Sequence, residues 1–243
     1  MGLSPLCVPV YRQGRIGQVD LSRPDEIKKL SNFLHEQEDH LDILLSNAGI
    51  RRDPTIPVQS YSTASLAEIQ ESLLSHSHAA WGETFSVNST AHFFLVAELL
   101  GLLGESAKLG DGRGCVVITS SCASMHNCTN VDLTSYAASK AATDHIVAML
   151  AAKVGRFGIR VNGINPGCIP CSVSMLILVF DSLVLLVNIG DGRAMNPINA
   201  EGNMFSNLFD KVPAKRAGVP EDIVATILYL ASKAGVSVSQ WAG

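Results

Sequence analysis

Apolar residues in this chain follow two patterns. "LDILLSNAGI" (41–50), "GCVVITSS" (114–121) and "GIRVNGINPG" (158–167) are short apolar or β-branched runs, each ended by small polar residues or Pro-Gly. The first two, without alternation, read as strands buried on both faces of a parallel sheet, and the third as a further strand with a Pro-Gly stop. "GRIGQVDLS" reads as a further short strand ending at Asp20. Helical spacing marks "RPDEIKKLSNFLHEQE", a long region over 64–107, the segment 134–155, a stretch after Asn199, and 220–232. Ser22 is placed to cap the first of these, with Pro24 and Asp25 in its first turn. Gly82 is the expected break in the long region. Strand and helix alternate with no internal repeat and no linker. That predicts one α/β domain over 1–243 with a parallel sheet.

Composition narrows the function classes. Hydrophobic residues make up 47% and charged residues 16%, which suits a packed core rather than a disordered chain. A formal charge of -4, with no basic cluster, gives nucleic acid nothing to hold. Six cysteines without framework spacing fit a reducing compartment. Cys168 and Cys171 form a C-x-x-C, but a structural zinc site needs a second pair and none stands at suitable spacing, so no metal is expected. His76 and His78 flank one serine and read as a solvated helix face. The start, "MGLSPLCVPVYRQ", lacks a basic segment followed by a long apolar core, so the expected location is cytoplasmic.

The candidate chemistry lies in "TSYAASKAATDHI" (134–146). Tyr136 and Lys140 are four apart and share one helical face. An ammonium beside a phenol favours phenolate, which makes a tyrosine useful as an acid or base near neutrality.

In order along the chain stand "SNAG" (46–49), "VNSTAHFF" with Asn88, "VITSS" ending at Ser121, Tyr136-x-x-x-Lys140 and "NPG" (165–167). Together they resemble the short-chain dehydrogenases/reductases, most closely the 3-oxoacyl-carrier-protein-reductase type, over about 14–171 and 195–235. The resemblance implies a Rossmann-like doubly wound parallel sheet. It implies an NAD- or NADP-dependent oxidoreductase that interconverts a small-molecule carbonyl and a secondary alcohol. Tyr136 would be the general acid/base, and Lys140 would tune it and bond the nicotinamide ribose. Ser121 would hold the carbonyl, and Asn88 would anchor the water that resupplies the proton. Asn47, Ala48 and Gly49 would line the cofactor, Asp20 would stand beside the adenine, and Pro166, Gly167 and Ile169 would face the nicotinamide. It also implies a homo-oligomer packed through helices over 83–107 and 134–155. The spacing from Ser121 to Tyr136 is two residues longer than the family's usual one.

Two departures bear on these expectations. The family opens with a strand, a T-G-x-x-x-G-x-G turn and a helix that receives the pyrophosphate. Nothing before Asp20 supplies that, and the C-terminus stops before the family's last strand. The expected sheet is therefore incomplete, lacking the first two strands and the last. "GRIGQVD" would have no partner, and "LDILLS" would be an open apolar edge. The choice between NAD and NADP is unmarked, and a non-catalytic remnant acting through its helices is the alternative function. The second departure is an apolar block, "CSVSMLILVFDSLVLLVNIGDGRA" (171–194), without a family counterpart. Read as a membrane helix, its apolar span of ~17 residues reaches ~25 Å, short of a ~30 Å hydrocarbon core, with Asp181 at its middle. Read as translated non-coding sequence (172–194), it shares one cause with both clipped ends. The second reading is favoured, and the core strands are not expected to depend on the block.

Overall fold

A computed structural model describes residues 7–12, 15–52, 54–58, 60–125, 127, 132–167, 183–186, 215–216 and 218–236. Its strands are β1 (Cys7–Arg12), β2 (Arg15–Asp20), β3 (Ile43–Ser46), β4 (Cys115–Thr119), β5 (Arg160–Ile164) and β6 (Leu183–Leu186). Its helices are α1 (Pro24–Gln37), α2 (Leu66–Leu74), α3 (His78–Phe85), α4 (Ala91–Lys108), α5 (Thr134–Val154) and α6 (Pro220–Ala231). Strands β5, β4, β3 and β6 form a parallel sheet in that order, and β1 pairs antiparallel with β2 in a separate ribbon.

Successive strand residues point to opposite faces, so an unbroken apolar run supplies two cores at once. Leu44, Val116, Ile118 and Val161 pack with Ile27, Leu30 and Leu34 of α1, with Leu95, Leu99 and Leu103 of α4, and with Leu150 and Val154 of α5. On the other face Leu45, Cys115, Val117 and Ile164 meet Ile223, Ile227 and Leu230 of α6. Each fully buried aliphatic side chain stabilises by ~1.5–3 kcal/mol. This is the α/β parallel sheet expected from the alternating elements, doubly wound as the family resemblance implies. The turn into β4 needs glycine. Gly114 has φ +70°, and a Cβ there would stand 2.6 Å from the Leu103 carbonyl.

Several expectations need correction. β2 is not unpartnered: the ribbon with β1 satisfies its backbone through residues 7–12. β3 is not an open edge, because Leu183–Leu186 of the apolar block pairs with it in register, Ile43 opposite Leu183 and Ser46 opposite Leu186. Ser22 does not cap α1. The N-cap is Arg23, whose side chain makes no capping bond, and the Ser22 hydroxyl donates to Asp20 Oδ1 at 2.6 Å. The long helical region breaks at 75–77, where Ser77 accepts from the Ala80 N–H, and Gly82 stays inside α3. The other side of that break is the C-cap of α2, Ser75, whose hydroxyl donates to the Ser72 carbonyl at 2.7 Å, while a capping box of Ser65 and Glu68 opens the same helix at its N-terminus.

His76 is not on a solvated face. Its Nε2 lies 2.8 Å from Asp132 Oδ2, with side-chain exposures of 10% and 4%. The Tyr61 hydroxyl donates to the same oxygen at 2.9 Å, and Thr134 donates to Oδ1 through N–H (2.9 Å) and hydroxyl (2.6 Å). Burial alone would raise the Asp132 pKa, but the bonds from Thr134, His76 and Tyr61 outweigh it and bring it down to about 2. The Asp132 carboxylate thus ties the excursion over 60–76 to the first turn of α5.

Among the described residues one helical run, His78–Lys108, is long and apolar enough to cross a membrane. Its most apolar window is 56% buried within the protein. The stretch after Asn199, and Cys168 and Cys171, lie outside the described residues.

Candidate active site

The site forms where β3, β4 and β5 end against α4 and α5. Between α3 and α4 the helix widens into a π turn, Ser86–Thr90, and Asn88 stands at its centre, fully buried. Such turns recur at functional sites, because the extra residue re-aims a side chain. Here Asn88 Oδ1 accepts from the Ile50 N–H at 2.7 Å, and its Nδ2 donates to the Ile50 carbonyl and to Ser139 Oγ, both at 2.9 Å. One amide therefore satisfies both backbone groups of Ile50, immediately after Asn47, Ala48 and Gly49. Ala48 and Gly49 are buried, and Asn47 is partly exposed.

Lys140 comes from one turn further along α5 than Tyr136. Its ammonium is fully buried, donates to the Thr119 carbonyl at 2.8 Å and lies 5.9 Å from the centre of the Tyr136 ring. Burial lowers its pKa to about 8, with Asp144 opposing in part. Gly49 makes room for it: a Cβ there would meet Lys140 Nζ at 3.3 Å and Asn88 Oδ1 at 3.5 Å. Ser139 links the pair, its hydroxyl donating to the Tyr136 carbonyl at 2.7 Å while accepting from Asn88. The structure thus brings Gly49, Asn88, Tyr136 and Lys140 into one cluster.

Ser121 leaves the end of β4. Its Oγ accepts from the Ala123 N–H at 3.1 Å, and its hydroxyl also interacts with the Cys122 thiol. The neighbouring Ser120 donates to the Lys140 carbonyl at 3.0 Å, fastening this strand end to α5. Asn165, the first residue of "NPG", points its Nδ2 at the Ser121 carbonyl (3.2 Å) and at Asp144 Oδ1 (3.0 Å). Pro166 accepts from the Cys122 N–H at 3.0 Å, and Gly167 is exposed, with no atom within 4 Å of where a Cβ would stand. Ile169 lies outside the described residues.

Asp20 belongs to the antiparallel ribbon, not to the parallel sheet, and its carboxylate accepts from the N–H and hydroxyl of Ser22. Sequence reasoning missed Ser139, Asn165 and Ser120 as members of the constellation. All three sat inside quoted motifs, but nothing in their spacing showed which way they bond. Among the described residues no group of three or more His, Cys, Asp or Glu could hold a metal ion.

The cluster has the chemistry of proton transfer: a phenol one helical turn from a buried cation, with a serine hydroxyl at the neighbouring strand end. It also suits the nicotinamide-ribose end of a dinucleotide. An ammonium donor stands beside a backbone cradle at Gly49 that any Cβ would narrow.

Comparison with known proteins identifies the family. The short chain dehydrogenase family signature matches residues 12–177. A fungal short-chain dehydrogenase/reductase, PhomF of Diaporthe leptostromiformis, is 29% identical over 230 residues, covering 91% of this chain and 69% of its own. The 7alpha-hydroxysteroid dehydrogenase of Escherichia coli K12 is 27% identical over 222 residues, covering 90% of this chain and 68% of its own. The Pseudomonas aeruginosa RhlG/NADP active-site complex superposes with a TM-score of 0.66 at 24% identity, over 90% of this chain and 70% of that one, a likeness of fold. With that signature over most of its length, the chain belongs to the short-chain dehydrogenase/reductase family.

Proposed function

We propose that this protein is an NAD(P)-dependent oxidoreductase that interconverts a small-molecule carbonyl and a secondary alcohol. The observation that carries the reading is the buried Lys140 ammonium, seated against Gly49 and one helical turn from Tyr136. A nicotinamide, when bound, supplies or accepts the hydride. The chain's own residues handle the proton and the substrate. Tyr136 gives its phenolic proton to the substrate oxygen in reduction and takes it back in oxidation. Lys140 offsets the negative charge left on the phenol oxygen and donates to the ribose. Ser121 donates its hydroxyl hydrogen to the carbonyl and fixes its orientation. Asn88 keeps the Asn47–Gly49 segment in register and anchors the water that resupplies the proton. Pro166 and Gly167, with Ile169 by the family resemblance alone, are assigned to the nicotinamide side and Asp20 to the adenine side.

NADPH and NADH oxidation with a panel of ketones, followed by absorbance at millimolar cofactor, tests this reading. Tyr136→Phe should abolish turnover and leave the cofactor dissociation constant within about twofold, because only the proton donor is removed. Full activity in the Phe variant would refute the assignment. The 243 residues contain no T-G-x-x-x-G-x-G turn, so affinity for either cofactor should be weak. Micromolar binding by calorimetry would overturn that expectation. We further propose one domain over 1–243 that self-associates through α4 and α5, where Phe93 (38%), Phe94 (49%) and Met149 (45%) are exposed. Light scattering of the purified chain reads its oligomeric state directly.

A further inference from the structure

We propose that His92 is a positioning residue for the cofactor-lining loop, gripping its Ser46 end while Asn88, one turn earlier, grips its Ile50 end. The name of the loop rests on the function proposed above; the grip itself does not. His92 lies in the first turn of α4, fully buried, and its Nδ1 is 2.6 Å from Ser46 Oγ. Ser46 is the last residue of β3, and the loop leaves the sheet there. Asn88 holds both backbone groups of Ile50 at the other end. Two side chains from one helical run thus bracket residues 46–50, the segment against which Lys140 rests at Gly49.

Packing alone does not account for a histidine here. The other ring nitrogen, Nε2, is buried without a hydrogen-bond partner. An aliphatic residue would fill the space and leave no orphaned nitrogen. What only a polar side chain supplies is the bond to Ser46 at 2.6 Å and a weaker attraction to the Ala48 backbone, too loose to count as a hydrogen bond to Nε2. The ring is also held neutral, since burial and the nearby Lys140 cation push its pKa down to about 3. A neutral imidazole can lie near Lys140 without competing with it for charge.

Hydrogen exchange on the full chain, read by mass spectrometry or NMR, tests the grip independently of catalysis. The comparison is between amides 47–50 and amides 116–118 of β4. His92→Phe keeps a ring of similar size and removes both nitrogens, and Ser46→Ala removes the partner with little loss of volume. Each should speed exchange at 47–50 by about tenfold, as expected for one lost buried bond, and leave β4 within about twofold. The double variant should add little to either single change. His92→Asn places a polar atom near the position of Nδ1 and should restore much of the protection. Unchanged exchange in both single variants overturns the proposal. So does an equal rise across loop and sheet, which would mark His92 as core packing only. A parent chain that protects the loop but turns over no substrate would count against the proposed function and leave the grip standing.

Discussion

Replacing Asn88 by alanine is the sharpest test of how this site is held. Asn88 is fully buried and Ile50 is 4% exposed, so water does not freely replace the lost amide. Its side chain makes three bonds, to the Ile50 N–H, the Ile50 carbonyl and Ser139 Oγ. Ser139 keeps its bond to the Tyr136 carbonyl and so contributes little to the loss. The two Ile50 groups are left unpartnered, at ~1–3 kcal/mol each. One water entering the vacated space recovers part of that, giving a net loss of about 2–4 kcal/mol. For a chain of this size that lowers Tm by roughly 4–16 °C. Asn88→Leu separates volume from polarity. It fills the space, so cavity formation cannot explain a loss, yet it leaves the same two groups unpartnered. Both variants should therefore melt well below the parent in thermal and urea unfolding. If Asn88→Leu unfolds within about 0.5 kcal/mol of the parent, the Ile50 groups do not depend on this amide and the account of the loop is wrong.

Lys140 gives a pH signature. Its folded pKa, about 8, lies below the ordinary 10.5, so the unfolded chain binds the extra proton between those values and stability rises with pH across that window. The burden of the buried charge is complete below pH 8. Stability relative to Lys140→Met should therefore improve from pH 8 to 10.5, and paired urea melts showing a flat difference would refute it. Asp132 has the opposite sense. Its pKa of about 2 means stability present above pH 4 and lost as pH falls towards 2. Asp132→Ala should cost roughly 2–4 kcal/mol near neutrality and abolish that acid sensitivity, both read from chemical melts. Deleting Ser172–Ala194 should lower Tm and promote aggregation, because it uncovers the β3 edge. An unchanged melt and unchanged light scattering would show that β6 is dispensable.

The parts legible in the sequence were those with a local cause. β3 and β4 announce themselves as continuous apolar runs, because a strand buried on both faces has no polar side to show, whereas β5 (RVNGI) carries buried Arg160 and Asn162 and is marked by its Pro-Gly stop. α5 follows from a long stretch of helix formers, and Tyr136 and Lys140 share its face by spacing alone. Pairings made across the chain were not legible. Asp132 and His76 are 56 residues apart, and an isolated histidine in a polar stretch looks solvated until its carboxylate is placed. Ser46 and His92 are 46 apart, and neither position carries a periodic signal. Ser22 failed as a cap because Asp20, two residues earlier, offers its hydroxyl a charged acceptor. The π turn at Asn88 is invisible to a 3.6-residue period, since it shifts the register by a fraction of a turn.

That part of the apolar block covers the β3 edge was not legible, for a reason that hydropathy cannot repair. A membrane span, a buried parallel strand and sequence foreign to the fold can share the same aliphatic composition, and only the partner decides among them. A sheet edge accepts backbone, so its requirement on the next strand is apolar character and an extended conformation, not a particular place in the chain. "LVLL" meets both. Its register then matters for the site, because Leu186 pairs opposite Ser46, the residue from which the loop departs and to which His92 bonds. β4 holds the other side of the same residue, with Ile118 opposite Ser46. The base of the loop is thus fixed by a strand on each flank and by an imidazole from α4. Removing the block should consequently speed exchange at amides 47–50 as well as lower Tm. Exchange there that stays at the parent rate in the deletion would show that β4 and α4 hold the loop base without β6.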